Sequence, residues 1–254
     1  MKSVNNFAKV IILDLISYQQ KRQKMTENLP KYRTLCKVCI QPHFSCYCPH
    51  IETFDSKISF VILIHPIEAH RRIATGRMSH LCLKNSHLIM GQDYSNNKDV
   101  NQLINDSDYH SVMLYPGLQS CNLTHLAIGD RENLFPTNKK LRIFVIDGTW
   151  ATAKKMVRQS LNLISLPRIC FSPTAPSNFR VRKQPHAACY STIEAIHHTI
   201  ELLGESQGLE LKQREHDKLI YAFDAMVEKQ LEFIKKSHEN PLATTYRRER
   251  QRSA

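Results

Sequence analysis

Residues 141–157 read LRIFVIDGTWATAKKMV, and a change of pattern inside them decides the fold class. Ile143, Phe144, Val145 and Ile146 form a short, mostly β-branched apolar run, the signature of a strand covered on both faces. Asp147 and Gly148 interrupt the run. From Trp150 a helical period takes over, with Trp150, Ala153, Met156 and Val157 on one side and Lys154, Lys155 and Arg158 on the other. A carboxylate at the C-terminal end of a buried strand, followed by glycine and a helix start, stands where open α/β sheets gather ligand chemistry. Helix capping by Asp147 or Thr149 is equally compatible with this spacing.

Working outward, the same punctuation recurs. Residues 58–64 (ISFVILI) are a second buried strand, ending in His65-Pro66-Ile67-Glu68. Residues 88–91, 112–115 and 169–171 supply three more short strands, and Pro116-Gly117 stops the second of these. A Pro-Gly at a strand end bends the chain and can present bare amides to a ligand; a plain turn fits as well. Helical patterns follow at Met78, Leu81 and Cys82, at residues 191–203, where Ser191-Thr192-Ile193-Glu194 reads as a capping box, and at residues 212–236. Residues 129–140 read as a loop. The fold class is therefore α/β. The expected domains are an N-terminal extension (1–30), a zinc-binding lobe (31–55), a catalytic domain (56–236) and a basic tail (237–254). Met25 is a second candidate start.

The sharpest local signal is Cys36-x2-Cys39, six residues, then Cys46-x-Cys48. Two close cysteine pairs across a short Pro-containing loop can bring four thiolates around one tetrahedral zinc. With four ligands and no open position, the site reads as structural. His43 and His50 are spare donors. No secretory signal or membrane-spanning segment is evident, so a cytoplasmic protein is expected.

The chain carries 35 Lys+Arg against 23 Asp+Glu, a formal charge of +12, which favours a polyanionic partner. Arg71, Arg72 and Arg77 surround a strand end and a helix start, a geometry suited to phosphate. The stretch from Ser177 through Arg180, Arg182, Lys183, Gln184 and Pro185 is the densest mixture of basic and amide side chains. None of the seven glycines forms GxGxxG or a P-loop, which excludes the common Gly-rich nucleotide cradles.

Together these pieces resemble the DTW-domain family, the tRNA-uridine aminocarboxypropyltransferases. The resemblance is carried, in the family's order, by the four cysteines, His65-Pro66-x-Glu68, Thr75-x-Arg77, Tyr115-Pro116-Gly117, Asp147-Gly148-Thr149-Trp150, and Arg182-Lys183-Gln184-Pro185 with Ser191-Thr192-x-Glu194. One departure is Ala74-Thr75-Gly76-Arg77, where the family more often has an Asn-Thr-Ala-Arg type of sequence.

The resemblance implies transfer of the 3-amino-3-carboxypropyl group from S-adenosylmethionine to N3 of a tRNA uridine. It also implies a fold similar to the knotted SPOUT methyltransferases. Asp147 is the candidate general base for the N3 proton. The cofactor clamp is expected from Tyr115, Pro116, Gly117, Gly148, Thr149, Trp150, Arg182, Lys183, Gln184, Pro185, Ser191, Thr192 and Glu194. Arg71, Arg72, Arg77 and Arg180 are expected to meet RNA. Arg182 or Lys183 pairs with either the cofactor carboxylate or tRNA phosphate. A SPOUT-type RNA methyltransferase and a non-catalytic zinc-containing RNA-binding module are the rival readings. The sequence leaves the oligomeric state open.

Overall fold

The computed structural model describes residues 35–182 and 189–239. The expected extension at 1–30, the residues Lys183, Gln184 and Pro185, and the expected tail beyond position 239 lie outside the described residues.

Alternation between short apolar runs and helices produces a six-stranded sheet. In chain order the elements are β1 (Ser59–Ile64), α1 (Pro66–Ala69), α2 (Thr75–Cys82), β2 (Ser86–Met90), α3 (Lys98–Ile104), β3 (Tyr109–Leu114), β4 (Cys121–Asn122) and α4 (Ile128–Glu132). There follow β5 (Lys140–Asp147), α5 (Trp150–Gln159), α6 (Leu161–Ile164), β6 (Arg168–Cys170), α7 (Thr192–Leu203) and α8 (Asp217–Glu239). All the pairings are parallel, in the order β2-β1-β5-β3-β6-β4. The opening stretch is thus the middle of the sheet: β5 lies between β1 and β3, with Ile62 opposite Val145 and Val112 opposite Ile143.

Parallel strands joined by helical crossovers are covered on both faces, and the burial follows. All six residues of β1 are buried. Side chains alternate between faces with period two. Phe60, Ile62, Ile143 and Val145 join a core built with Met78 of α2, Ile193 and Ile196 of α7, and Phe223 of α8. Val61, Leu63 and Phe144 face the other way, onto Met156 and Val157 of α5 and Leu163 of α6. Continuing the count along β5 puts Asp147 on the α2/α7 side.

The cysteine segment does not stand off from this body. Cys39, Tyr47 and Phe54 belong to the same buried cluster as β1 and α8, and the Phe44 ring meets Phe233 of α8 at 5.0 Å. Two sequence expectations shift. The loop expected over 129–140 contains the short helix α4, and the C-terminal helix begins at Asp217, preceded by a 3-10 turn at Leu211–Gln213. Among the described residues, no helix is long and apolar enough to cross a membrane.

Candidate active site

The two ends of β5 carry opposite charges with opposite fates. Arg142, 3% exposed, is fully engaged: it donates to Leu103 O at 2.6 Å and pairs with Asp106 Oδ2 at 3.1 Å. It also lies 3.6 Å over the Tyr109 ring. Asp147, 5% exposed at the other end, is half engaged. Its Oδ1 accepts from Thr192 Oγ1 at 2.6 Å, while its buried Oδ2 faces the Gly76 amide without a hydrogen bond of normal geometry. Buried polar atoms normally find partners, so such an atom at a strand's carboxyl end marks the place where chemistry is expected.

Capping of α5 falls to Thr149, whose Oγ1 accepts from Thr152 N at 3.2 Å. That contact is worth about 0.5–2 kcal/mol and frees Asp147 from the structural alternative. Gly148 is needed beside it, because a Cβ there would sit 2.7 Å from Thr152 Oγ1. On the opposite side a Cβ at Gly76 would lie 2.4 Å from Asp147 Oδ2, so the first turn of α2 closes directly over the carboxyl. Burial pushes the Asp147 carboxyl above the usual carboxylate range. The Thr192 hydrogen bond opposes this, the Glu68 charge adds to it, and the Arg182 charge and the Gly76 amide pull the other way.

Beside this carboxyl, at the carboxyl ends of β3, β5 and β6, lies a cavity of about 740 Å³. That volume suits a nucleoside-sized ligand. Leu114, Tyr115 and Pro116 line it from the end of β3, and Val145, Ile146, Gly148, Thr149, Trp150 and Ala153 from β5 and α5. Cys170, Phe171 and Pro173 follow β6, and Phe179, Arg182, Tyr190, Ser191, Thr192 and Ala195 complete the lining with Arg71. The segments expected to form a clamp therefore converge, from positions far apart in the chain. Asp147 itself does not line the cavity; Thr192 does, with Asp147 behind it.

Other expected residues take different places. Glu194 is buried away from the lining as a tie between segments. Its carboxylate accepts from Ser177 Oγ at 2.8 Å, Asn178 N at 2.7 Å and Ser191 N at 2.8 Å, in a capping box at the start of α7. Gly117 also stays outside the lining. Arg77, expected to face RNA, is 7% exposed and donates to the carbonyls of Arg71 and Ala69. Its guanidinium folds the chain between α1 and α2, so it is corrected from a surface contact to an internal brace. Arg71, Arg72 and Arg180 are exposed, and Arg71 pairs with Glu68 at 3.1 Å. Sequence reasoning missed Phe171, Tyr190 and the Gly76–Asp147 contact. The aromatic residues flank recognised motifs, whereas the glycine contact joins segments 71 positions apart and leaves no local trace.

The four cysteines converge. Sγ of Cys36 lies 3.7 Å from that of Cys48, Cys39 lies 3.5 Å from Cys46, and all four sulfurs fall within 4.8 Å of one another. All four are free thiols. Tetrahedral zinc with Zn–S bonds of about 2.3 Å requires S···S edges of about 3.8 Å, so the donor set fits that ion. Backbone amides of Cys39 and Val38 draw the Cys36 thiol down to about 6, whereas burial pushes Cys46 and Cys48 up.

A parallel α/β sheet with a ligand-sized cavity at its strand ends, a half-paired carboxylate behind the wall and a four-cysteine cluster defines an α/β protein with a small-molecule site. More specifically, the chain belongs to the DTW domain family, whose model matches residues 33–231. It is similar to "tRNA-uridine aminocarboxypropyltransferase 2" of Mus musculus, 27% identical over 70% of this chain and 59% of the relative. The protein of the same name from Drosophila melanogaster is 26% identical over 84% of this chain and 85% of the relative. "tRNA-uridine aminocarboxypropyltransferase A" of Arabidopsis thaliana is 24% identical over 82% and 85%. The chain thus spans about three fifths of the mouse relative's length and most of the fly and plant relatives. No solved structure matches it.

Proposed function

We propose that this chain transfers the 3-amino-3-carboxypropyl group of S-adenosylmethionine to N3 of a uridine in tRNA. The names of the relatives supply the reaction class, and one observation carries it to these residues. Gly148, Thr149, Trp150, Arg182 and Thr192 meet at one cavity, and the Thr192 hydroxyl ties it to the buried Asp147 carboxyl behind, 2.6 Å away. The knotted SPOUT-like path belongs to the same proposal and rests on the family resemblance; the parallel sheet with β5 at its centre is the framework it requires. Structural zinc on the four cysteines and a cytoplasmic location belong to it too.

The donor's contribution, when bound, is a sulfonium that makes the adjacent aminocarboxypropyl carbon electrophilic. The protein's tasks are to hold that carbon in line with N3 and to remove the N3 proton. Thr192 faces the cavity, so its Oγ1 receives the N3 proton as its own proton passes to Asp147 Oδ1. N3 then forms the new bond to carbon, and the carbon–sulfur bond breaks to leave a neutral thioether. Gly76 and Thr192 hold the carboxylate from two sides, so little reorganisation is needed at the moment of transfer. Arg182 offers a cation for the donor's carboxylate. Trp150, Phe171 and Tyr190 offer aromatic surface for adenine and for a base taken out of its stack. Arg71, Arg72 and Arg180 are exposed cations for tRNA phosphate.

Two labelled donors test the assignment. Unmodified tRNA is incubated with the protein and with S-adenosylmethionine labelled in either the aminocarboxypropyl chain or the methyl group. Label entering tRNA from the chain alone supports the proposal. Label entering from the methyl group makes the protein a methyltransferase, and no label with either donor removes the activity.

A further inference from the structure

A second cluster of metal-type donors lies outside the cavity, where the start of α8 packs beside α7. His197 and Glu201 sit one helical turn apart on α7, and His216 and Asp217 arrive from the loop that enters α8. His197 Nε2 lies 2.9 Å from Asp217 Oδ1, and His216 Nε2 lies 3.7 Å from both Asp217 Oδ1 and Glu201 Oε1. Donor atoms of His197, His216 and Asp217 fall within 4.8 Å of one another. Separations of about 3.3–3.5 Å between ligand atoms are what bonds of about 2.0–2.2 Å to a tetrahedral ion impose, so these distances bracket the requirement.

The second observation concerns His216. Its side chain is 0% exposed, and neither ring nitrogen has a hydrogen-bond partner. An imidazole in a helical core normally satisfies at least one nitrogen, and this one is aimed between two carboxylates instead. Arg214 reaches the same carboxylates from the rim, 2.7 Å from Asp217 Oδ1 and 3.1 Å from Glu201 Oε1. Its side chain is 53% exposed, and a third hydrogen bond, from Nε to Asp217 Oδ2 at 2.8 Å, makes it the cation that occupies both carboxylates.

We infer that His197, His216, Asp217 and Glu201 form a second zinc-type divalent metal site, which fills by displacing Arg214. Two imidazoles and two carboxylates suit a borderline ion such as zinc and do not suit magnesium or calcium. The site ties the loop before α8 to the middle of α7. His197, the ligand nearest Thr192, lies five residues beyond it, about 7.5 Å along the helix, and the cluster shares no residue with the cavity lining or with the four cysteines.

Zinc stoichiometry of the full-length protein tests the inference. The metal-stripped protein is titrated with Zn²⁺ in the presence of a competing chelator, and bound metal is counted. The wild type should bind two equivalents, one in each cluster, and Glu201→Gln/Asp217→Asn should bind one while keeping the wild-type circular dichroism spectrum. Arg214→Ala removes the competing cation and should tighten the second equivalent at least about tenfold. Cobalt gives an independent signature, because the second equivalent adds weak ligand-field bands without the strong thiolate charge transfer of the first. Saturation of both wild type and Arg214→Ala at one equivalent overturns the site, whether or not the carboxylate variant folds. Retention of two equivalents by a folded carboxylate variant also overturns it.

Discussion

Thr192 and Asp147 stand 45 positions apart in the chain and are joined by one hydrogen bond of 2.6 Å, from Oγ1 to Oδ1. Thr192 lines the cavity and Asp147 does not, so in the proposed mechanism the proton of the bound base passes to the carboxylate through the hydroxyl. Thr192→Val keeps the shape of the side chain and removes that route. The variant should lose at least about a hundredfold in kcat with an almost unchanged KM for S-adenosylmethionine, and Thr192→Ser should restore most of the rate. Wild-type turnover in the valine variant would put Thr192 outside the proton path.

The raised pKa of Asp147 has a consequence for stability. Burial raises the folded-state value above the unfolded one, so the folded protein holds its proton more tightly. The ionised carboxylate therefore costs stability at neutral pH, and the cost disappears as pH falls through the folded pKa toward the unfolded one. Asp147→Asn should melt above the wild type at neutral pH, and the gap should close as the solution is acidified. A gap that is absent, or that widens toward acid, would contradict the environment described for this carboxyl. The same shift raises the acid limb of kcat/KM above that of an ordinary carboxylate base.

Gly76→Ala introduces the residue that the family more often carries at this position and brings a methyl group to 2.4 Å from Asp147 Oδ2, so the carboxyl must shift. Alanine also gains helix propensity, and the variant should keep the wild-type stability to within about 1 kcal/mol and keep turnover. A loss of several kcal/mol, or loss of turnover in a folded variant, would mean that the carboxyl cannot give way.

Cys39, fully buried between the other thiols and the main core, is the cysteine whose loss should matter most. Cys39→Ser should lower the melting temperature by at least about 5 °C and remove one equivalent of zinc. Chelation of the wild type should reproduce that loss. An unchanged melting temperature would remove the metal from the folding argument.

Local pattern made the central strand, the strand before α1, the capping box and the cysteine cluster readable in advance, because each depends on residues close together in the chain. The insertion of β5 between β1 and β3 was not readable, since pairing order is a non-local property. Charge composition marked Arg77 as a phosphate contact. Whether a guanidinium meets solvent or backbone carbonyls is decided by how α1 and α2 pack, and here it meets carbonyls. Glu194 was recognised as a capping residue, but its grip on Ser177 and Asn178 comes from a loop that no periodicity describes. His216 carried no signal at all, because its neighbours across the α7/α8 junction are set only by the fold.

The most direct measurement is the nucleoside composition of tRNA treated with S-adenosylmethionine and either the wild type or Asp147→Asn, at matched occupancy of donor and tRNA. Mass spectrometry should find 3-(3-amino-3-carboxypropyl)uridine with the wild type and essentially none with the variant. Methyluridine from the wild type, or full product from Asp147→Asn, would contradict the account.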